Sequence, residues 1–352
     1  MVDGLLGQIA ERGQQLAEHH VPARTNVLGH VRHRSPQRVG EALVRVLGDE
    51  GNDVIGLDVL DSPFTSVVGS IADRACVRRS MEGADVVLHT ATLHKPHIGS
   101  HGRQAFVDTN ITGTLTLLEE AVAAGVSRFV FTSTTSVFGR ALAPAAAAPA
   151  AWVTEDVVSV PRNVHGVTKS AAEDLCELIS RNQGLPCIVL RTSRFFPEAD
   201  DLDEVRTTYE DANVKANELL YRRIDLADAV SAHRLAMDRA PDTGFGRYIV
   251  SATSPFEPDD LAELRADAPT VVRRYFPDYE TLYAELGWRM FPTIDRVYVN
   301  SRARGALGWV PRYDFRHVLD SLTAGEDLRS PLAKTVGAKG YHATSTEPYI
   351  VR

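Results

Sequence analysis

Short apolar runs recur along the chain, each followed by a stretch whose apolar residues fall three or four apart. T-N-V-L-G (25–29), D-V-I-G-L-D (53–58), D-V-V-L-H-T-A-T (85–92), R-F-V-F-T (128–132), L-P-C-I-V-L-R (185–191) and G-R-Y-I-V-S (246–251) read as buried strands. Between them, G-E-A-L-V-R-V-L-G-D-E-G, R-A-C-V-R-R-S-M-E-G, the segment 106–124 and L-A-D-A-V-S-A-H-R-L-A have helical spacing, with Gly51 and Gly125 as stops. A further helix opens near residue 164, with Val167, Ala171, Leu175 and Leu178 on one face and Gly184 at its end. Short strands alternating with helices predict an α/β fold: a parallel sheet with helices on both faces.

The pattern changes near residue 254. Residues 254–330 are rich in proline, aromatics and short helical segments, and the Ala-Pro-rich stretch 141–151 reads as a loop. Leu5, Leu6, Ile9 and Leu16 predict a short amphipathic helix ahead of the main fold, docked on it or on a partner subunit; the alternative is a frayed end. At 352 residues the chain is long for one core and comfortable for two lobes. A formal charge of -8 argues against binding nucleic acid, which needs clustered Lys and Arg. Cys76, Cys176 and Cys187 stand singly, as in a reduced, cytoplasmic setting. No apolar run approaches the roughly 20 residues that span a bilayer, and no basic-then-apolar leader opens the chain. No membrane association is expected.

One stretch organises the rest. T-S-T-T-S-V-F-G (132–139) ends the strand at 128, and N-V-H-G-V-T-K (163–169) opens the following helix, with His165 and Lys169 sharing a face. This resembles the catalytic segment of the extended short-chain dehydrogenases/reductases, the epimerase/dehydratase family. That family carries Ser or Thr three residues before V-Y/F-G and a Y-G-x-T-K on the next helix. The hydroxyl then falls on Thr134 and the lysine on Lys169, while the tyrosine position holds His165. The resemblance, over about residues 24–320, implies a Rossmann-type doubly wound parallel sheet with a small C-terminal substrate lobe. It assigns 24–191 and 223–251 to the sheet domain, 192–222 and 252–330 to the lobe, 1–23 to a helical N-terminal extension and 331–352 to a tail. L-G-W-V-P-R-Y-D-F resembles the late element that closes the lobe. It also implies a homodimer, paired through the helices at 106–124 and 164–182.

For a cofactor the resemblance implies NAD, with binding altered or lost. A dinucleotide site needs glycines between first strand and first helix so that backbone amides reach the pyrophosphate. The family's G-x-x-G-x-x-G, placed by Gly40, puts Arg34 and Gln37 where glycines belong, and Pro36 removes a donor. Alternatively Gly29 ends the strand and a longer loop turns Arg32, Arg34 or Arg38 toward an anion. L-G-H-V-R-H-R, read one nucleotide out of frame, can encode L-V-T-S-G-T-G, the family's type of sequence; codons that cannot yield that string would exclude a compensated frameshift. Asp58 lies 18 residues beyond Gly40, near the ~20-residue spacing of a ribose-binding carboxylate that favours NAD. Ser70 replaces the first acid of the family's G-D-[IL]-x-D, whereas Ile71 and Asp73 remain; Ala91 keeps its place in H-T-A-T. Asn110, in D-T-N-I-T-G-T, matches an asparagine that holds the central sheet.

In the family, tyrosine moves a proton at the substrate oxygen while hydride moves at nicotinamide; lysine lowers the tyrosine pKa and holds the ribose, and Ser/Thr binds the oxygen. Thr134 and Lys169 suit those roles. Imidazole is shorter than phenol and starts near pKa 6.5 rather than about 10. A neighbouring ammonium lowers it further, which leaves a neutral base suited to proton abstraction, elimination or ring closure. Ser133, Arg191, Ser193 and Arg194, near the ends of two strands, and Arg222 are candidate substrate contacts by resemblance, as is His94 in L-H-K-P-H. His94 and His97 lack a third ligand at sensible spacing, so no metal is expected. Three functions stay open: a modified NAD(P)-dependent epimerase, dehydratase or reductase of a small sugar-like or secondary-metabolite substrate; a cofactor-free enzyme with His165 as base; and a catalytically silent binding protein.

Overall fold

The computed structural model describes residues 24–28, 38–195, 198 and 202–337. The N-terminal extension, Gly29, Arg34 and the tail beyond 337 lie outside the described residues. Seven strands form one sheet, every pair parallel: β1 (Arg24–Leu28), β2 (Asp53–Asp58), β3 (Val67–Val68), β4 (Val86–His89), β5 (Arg128–Thr134), β6 (Cys187–Thr192) and β7 (Phe245–Val250). Their order is β7-β6-β5-β4-β1-β2-β3, so the chain reverses direction between β1 and β4. In such sheets ligands bind beyond the carboxyl ends of the strands at that reversal.

Helices that cover the sheet include α1 (Arg38–Asp49), α2 (Arg74–Ser80), α3 (Gly113–Ala123), α4 (Val164–Gln183) and α5 (Leu226–Thr243). Alternation along β5 and β6 splits the core. Val130, Ile188 and Leu190 pack with α1 and α5, whereas Phe129, Phe131 and Val189 pack with α2, α3 and α4. Both faces are covered, so these strands read as continuous apolar runs.

The apolar stripe read along α4 is not its most buried face. Val167 and Leu178 are 52% and 48% exposed, with Ala171 and Leu175 half-buried. The inward face carries His165, Thr168, Lys169, Ala172, Glu173, Cys176 and Ile179. Spacing found the stripe but could not say which side the protein's own core takes.

A second core gathers Val214, Leu219, Tyr221, Phe256, Val271, Tyr283 and Phe315 beside the sheet domain. Short parallel pairs join the parts: Arg194–Phe195 with Arg223–Ile224, and Ala151–Val153 with Arg296–Tyr298. L-G-W-V-P-R-Y-D-F divides between the two cores. Trp309 is fully buried in the sheet core and its Nε1 donates to the Asp228 carbonyl (3.2 Å), while Phe315 lies in the lobe core. Between them the backbone N–H groups of Arg312 and Tyr313 donate to the Asp228 carboxylate (3.0 and 2.8 Å). Pro331–Val336, read above as tail, form helix α6, whose Ala333 and Val336 are buried in the sheet core.

Candidate active site

Two chain turns meet beyond β5. Thr134 caps the turn Thr135–Phe138, its Oγ1 accepting from the Ser136 N–H (3.1 Å). Asn163 caps α4, its Oδ1 accepting from the Gly166 N–H (3.0 Å). A Cβ on Gly166 would lie 2.8 Å from the Ser136 carbonyl oxygen, so only glycine lets α4 start against that turn. This close approach brings His165 and Lys169 under the end of β5. Asn110 fixes the opposite side. Its Oδ1 accepts from the Leu93 N–H (2.7 Å) and from Thr92 Oγ1 (3.0 Å), while its Nδ2 donates to the Leu93 carbonyl (3.1 Å) and Thr168 Oγ1 (3.0 Å). It sits in a wide, π-helical stretch, Val107–Thr112, and ties the segment after β4 to α4.

Lys169 is buried; its Nζ donates to the Thr132 carbonyl (2.6 Å) and lies 3.8 Å from the Phe131 ring centre. Burial pushes its pKa down to about 7, partly opposed by the Glu173 carboxylate one turn on. His165 is 3% exposed, and neither ring nitrogen has a hydrogen-bond partner among the described residues. Burial first, then the charges of Lys169, His97 and Lys95, lower its pKa to about 3. The ring is therefore neutral, as expected, but a far weaker base than the sequence implied. Burial rather than the lysine is the larger cause. Ser193 Oγ, just past β6, is likewise buried without a partner among the described residues. Thr134 and Thr192 are register partners, so Ser193 follows the strand position beside the catalytic candidate.

Other expected contacts are engaged elsewhere. Ser133 Oγ donates to Glu173, and Arg191 grips the same carboxylate through Nη2 (2.8 Å) and Nε (3.1 Å) while its Nη1 donates to the Glu155 carbonyl (3.2 Å). Both belong to a buried ion-pair network behind Lys169, not to an open substrate cleft. Glu173 itself escaped the sequence reading, although it stands four residues beyond Lys169 on the same face. Arg194 (3.4 Å) and Arg222 both contact Oε1 of the buried Glu218, and Arg223 Nε donates to Oε2 (2.6 Å). Their guanidinium groups anchor the strand pair that opens the lobe. His94 does reach the site, its ring centre 5.7 Å from that of His165. Among the described residues no group of three or more His, Cys, Asp or Glu is placed to hold a metal ion.

On the cofactor side, Gly40 is buried in α1. Asp58 closes β2, its Oδ1 accepting from the Leu60 N–H (3.0 Å). Ser70 Oγ accepts from the Ala72 N–H (3.1 Å), and the buried Ile71 packs where a Cβ on Gly113 would strike it. Ala91 is buried after β4.

Residues 38–239, 202 of the 352, match the model of the NAD dependent epimerase/dehydratase family. The chain belongs to that family. The match begins with α1 and so does not rest on the altered loop. Among curated family relatives, the low-salt glycan biosynthesis protein Agl12 of Haloferax volcanii is 32% identical over 173 residues, 45% of this chain and 54% of that protein. A UDP-glucose 4-epimerase of Streptomyces lividans is 26% identical over 235 residues, 58% of this chain and 69% of that protein. The chain spans between 37% and 54% of the first three curated relatives it matches. Among solved structures, a short-chain dehydrogenase/reductase superfamily protein of Agrobacterium tumefaciens with bound NAD has TM-score 0.59 at 24% identity, over 88% of this chain and 99% of that one. WbmG of Bordetella bronchiseptica, in complex with NAD, has TM-score 0.58 at 18% identity, over 92% and 97%. These share the family's Rossmann fold. No helix among the described residues is long and apolar enough to cross a membrane.

Proposed function

We propose that the chain is an NAD-linked enzyme acting at a carbinol or carbonyl carbon of a small sugar-like or secondary-metabolite substrate. Its chemistry is that of an epimerase, dehydratase or reductase, with histidine in the tyrosine's place. The observation that carries this is the meeting of Thr134, Lys169 and a buried His165 with two unpartnered nitrogens beyond the carboxyl end of β5. An imidazole taken from water without a partner costs free energy unless a ligand completes it. Relatives named UDP-glucose 4-epimerase and neighbours solved with NAD support the substrate and cofactor classes.

The residues fit a nicotinamide nucleotide: Asp58 ends β2 where a ribose carboxylate belongs, and Lys169 lies within the site. Bound there, NAD would supply the hydride acceptor and donor. Thr134 Oγ1 would hold the substrate oxygen by a hydrogen bond. His165 would donate its ring N–H to that oxygen as a hydrogen bond, and Lys169, half-protonated near pH 7, would give or take the proton. A cofactor-free reaction that relies on His165 as its base is disfavoured by the burial that holds its pKa near 3.

Calorimetric titration of the folded protein with NAD+, NADH, NADP+ and NADPH tests this. Micromolar binding of NAD+ or NADH, tighter than of the phosphorylated pair, is the expected result. No heat with any of the four, on protein whose circular dichroism shows it folded, would overturn it.

A further inference from the structure

His233, fully buried on α5, has no part in the site described above. Its Nδ1 lies 2.7 Å from the Ala229 carbonyl oxygen, one turn back on α5, and its Nε2 lies 2.7 Å from Thr132 Oγ1. A carbonyl only accepts, so the ring proton sits on Nδ1 and Nε2 accepts from the Thr132 hydroxyl. Burial lowers the pKa of the ring to about 4, which keeps it a neutral acceptor near pH 7. Thr132 is also the residue that Lys169 uses. The pairing of β4 with β5 runs only as far as Phe131, so Thr132 stands one residue past that ladder. From α4, on one face of the sheet, Lys169 Nζ donates to its carbonyl (2.6 Å); from α5, on the other face, His233 holds its hydroxyl. The buried Thr132 is thus gripped from both faces, two residues before Thr134.

We infer that His233 is a positioning residue of the active site: by holding the Thr132 hydroxyl it fixes the carbonyl that seats the Lys169 ammonium. The inference rests on the reading above only in giving Lys169 a part in the reaction. A buried hydroxyl deprived of its acceptor turns to seek another, and a residue past the end of a ladder has fewer backbone bonds to resist that turn. The carbonyl would then leave the line of the ammonium. A buried ammonium without an aligned acceptor is less stable than the neutral amine, so the proton affinity of Lys169 would fall. Its other neighbours are unaffected by this change. Glu173 and Cys176, on α4 with Lys169, favour its charge; Arg191 of β6 and Arg247 of β7 are paired with Glu173, and His165 stands one turn before.

The test uses the full chain labelled with 13C-lysine and follows the Lys169 Cε resonance as pH is raised. The chain has five lysines, and the spectrum of Lys169→Gln assigns the signal. Thr132→Val keeps the shape of the side chain and deletes its hydroxyl; His233→Phe removes the acceptor. Each should lower the Lys169 midpoint by about half a unit to one unit. Thr132→Ser, which retains the hydroxyl, should leave the midpoint at its native value. A merely structural bond would lower the Tm of Thr132→Val and leave the Lys169 midpoint where it was. A midpoint unmoved or raised in Thr132→Val, or shifted as far by Thr132→Ser, would overturn the inference. Thr132→Val decides the matter alone if His233→Phe does not fold. No nucleotide is needed, so the outcome stands apart from that of the calorimetric titration.

Discussion

His165 and Lys169 lie one helical turn apart, and burial disfavours the charged form of both. In each the native pKa is depressed, to about 3 and about 7, so the native state binds fewer protons than the unfolded chain below the ordinary values of 6.5 and 10.5. The stability tied to Lys169 is complete above about pH 10.5 and is lost as pH falls toward 7; that tied to His165 is lost between 6.5 and 3. The prediction is a His165 ring that stays neutral from about pH 9 down to about pH 5, while the Lys169 Cε resonance titrates near 7. A His165 midpoint near 6.5 in nitrogen-detected spectra would refute the buried, unpaired environment. His165 and Lys169 were legible in the sequence through their spacing of four on one helix, and Thr134 through the family resemblance. Ser133 and Arg191 were not, since Glu173 reaches them from another element and only the folded α4 brings it there.

Elements were legible where one period dominates. The main strands and the helices between them follow directly from apolar runs and glycine stops, whereas the wide turn Val107–Thr112 leaves no periodic mark and shows only through the bonds Asn110 makes. The spacing along α4 did not show that its polar side is the buried one, satisfied by Thr132, Arg191 and Asn110, partners that no single-helix pattern contains. Gly166 tests how that helix is seated. In an ordinary helix, Gly→Ala stabilises by about 1 kcal/mol. Here the added methyl would sit 2.8 Å from the Ser136 carbonyl oxygen, so either the helix start or the β5 turn must shift. Gly166→Ala should instead destabilise by about 1–3 kcal/mol, read as a lower Tm, and should move the Thr134 and His165 resonances. A Tm equal to or above that of the native protein would show that the two turns do not depend on this contact.

At the scale of the whole molecule, α4 carries two large apolar side chains, Val167 and Leu178, that neither core covers. α3 and α4 pack side by side on one face of the sheet; half-buried Leu115 lies on α3, and half-buried Ala171 lies on α4 with exposed Val167 and Leu178. Val167 and Leu178 are about half exposed, apolar surface that a second copy would cover. The resemblance implied pairing through these same helices, and the exposed Val167 and Leu178 supply a physical reason for it. A twofold axis between copies would set α3 and α4 against their equivalents as four helices, each stripe meeting its own copy. The chain should therefore run as a dimer in light scattering coupled to gel filtration. Leu178→Glu would place a carboxylate on each side of that axis without touching the inward face of α4, so it should give monomers whose circular dichroism is unchanged. A native protein that is monomeric at micromolar concentration would leave the stripe without a partner of its own kind. A dimer that survives L178E would place the twofold axis on another surface.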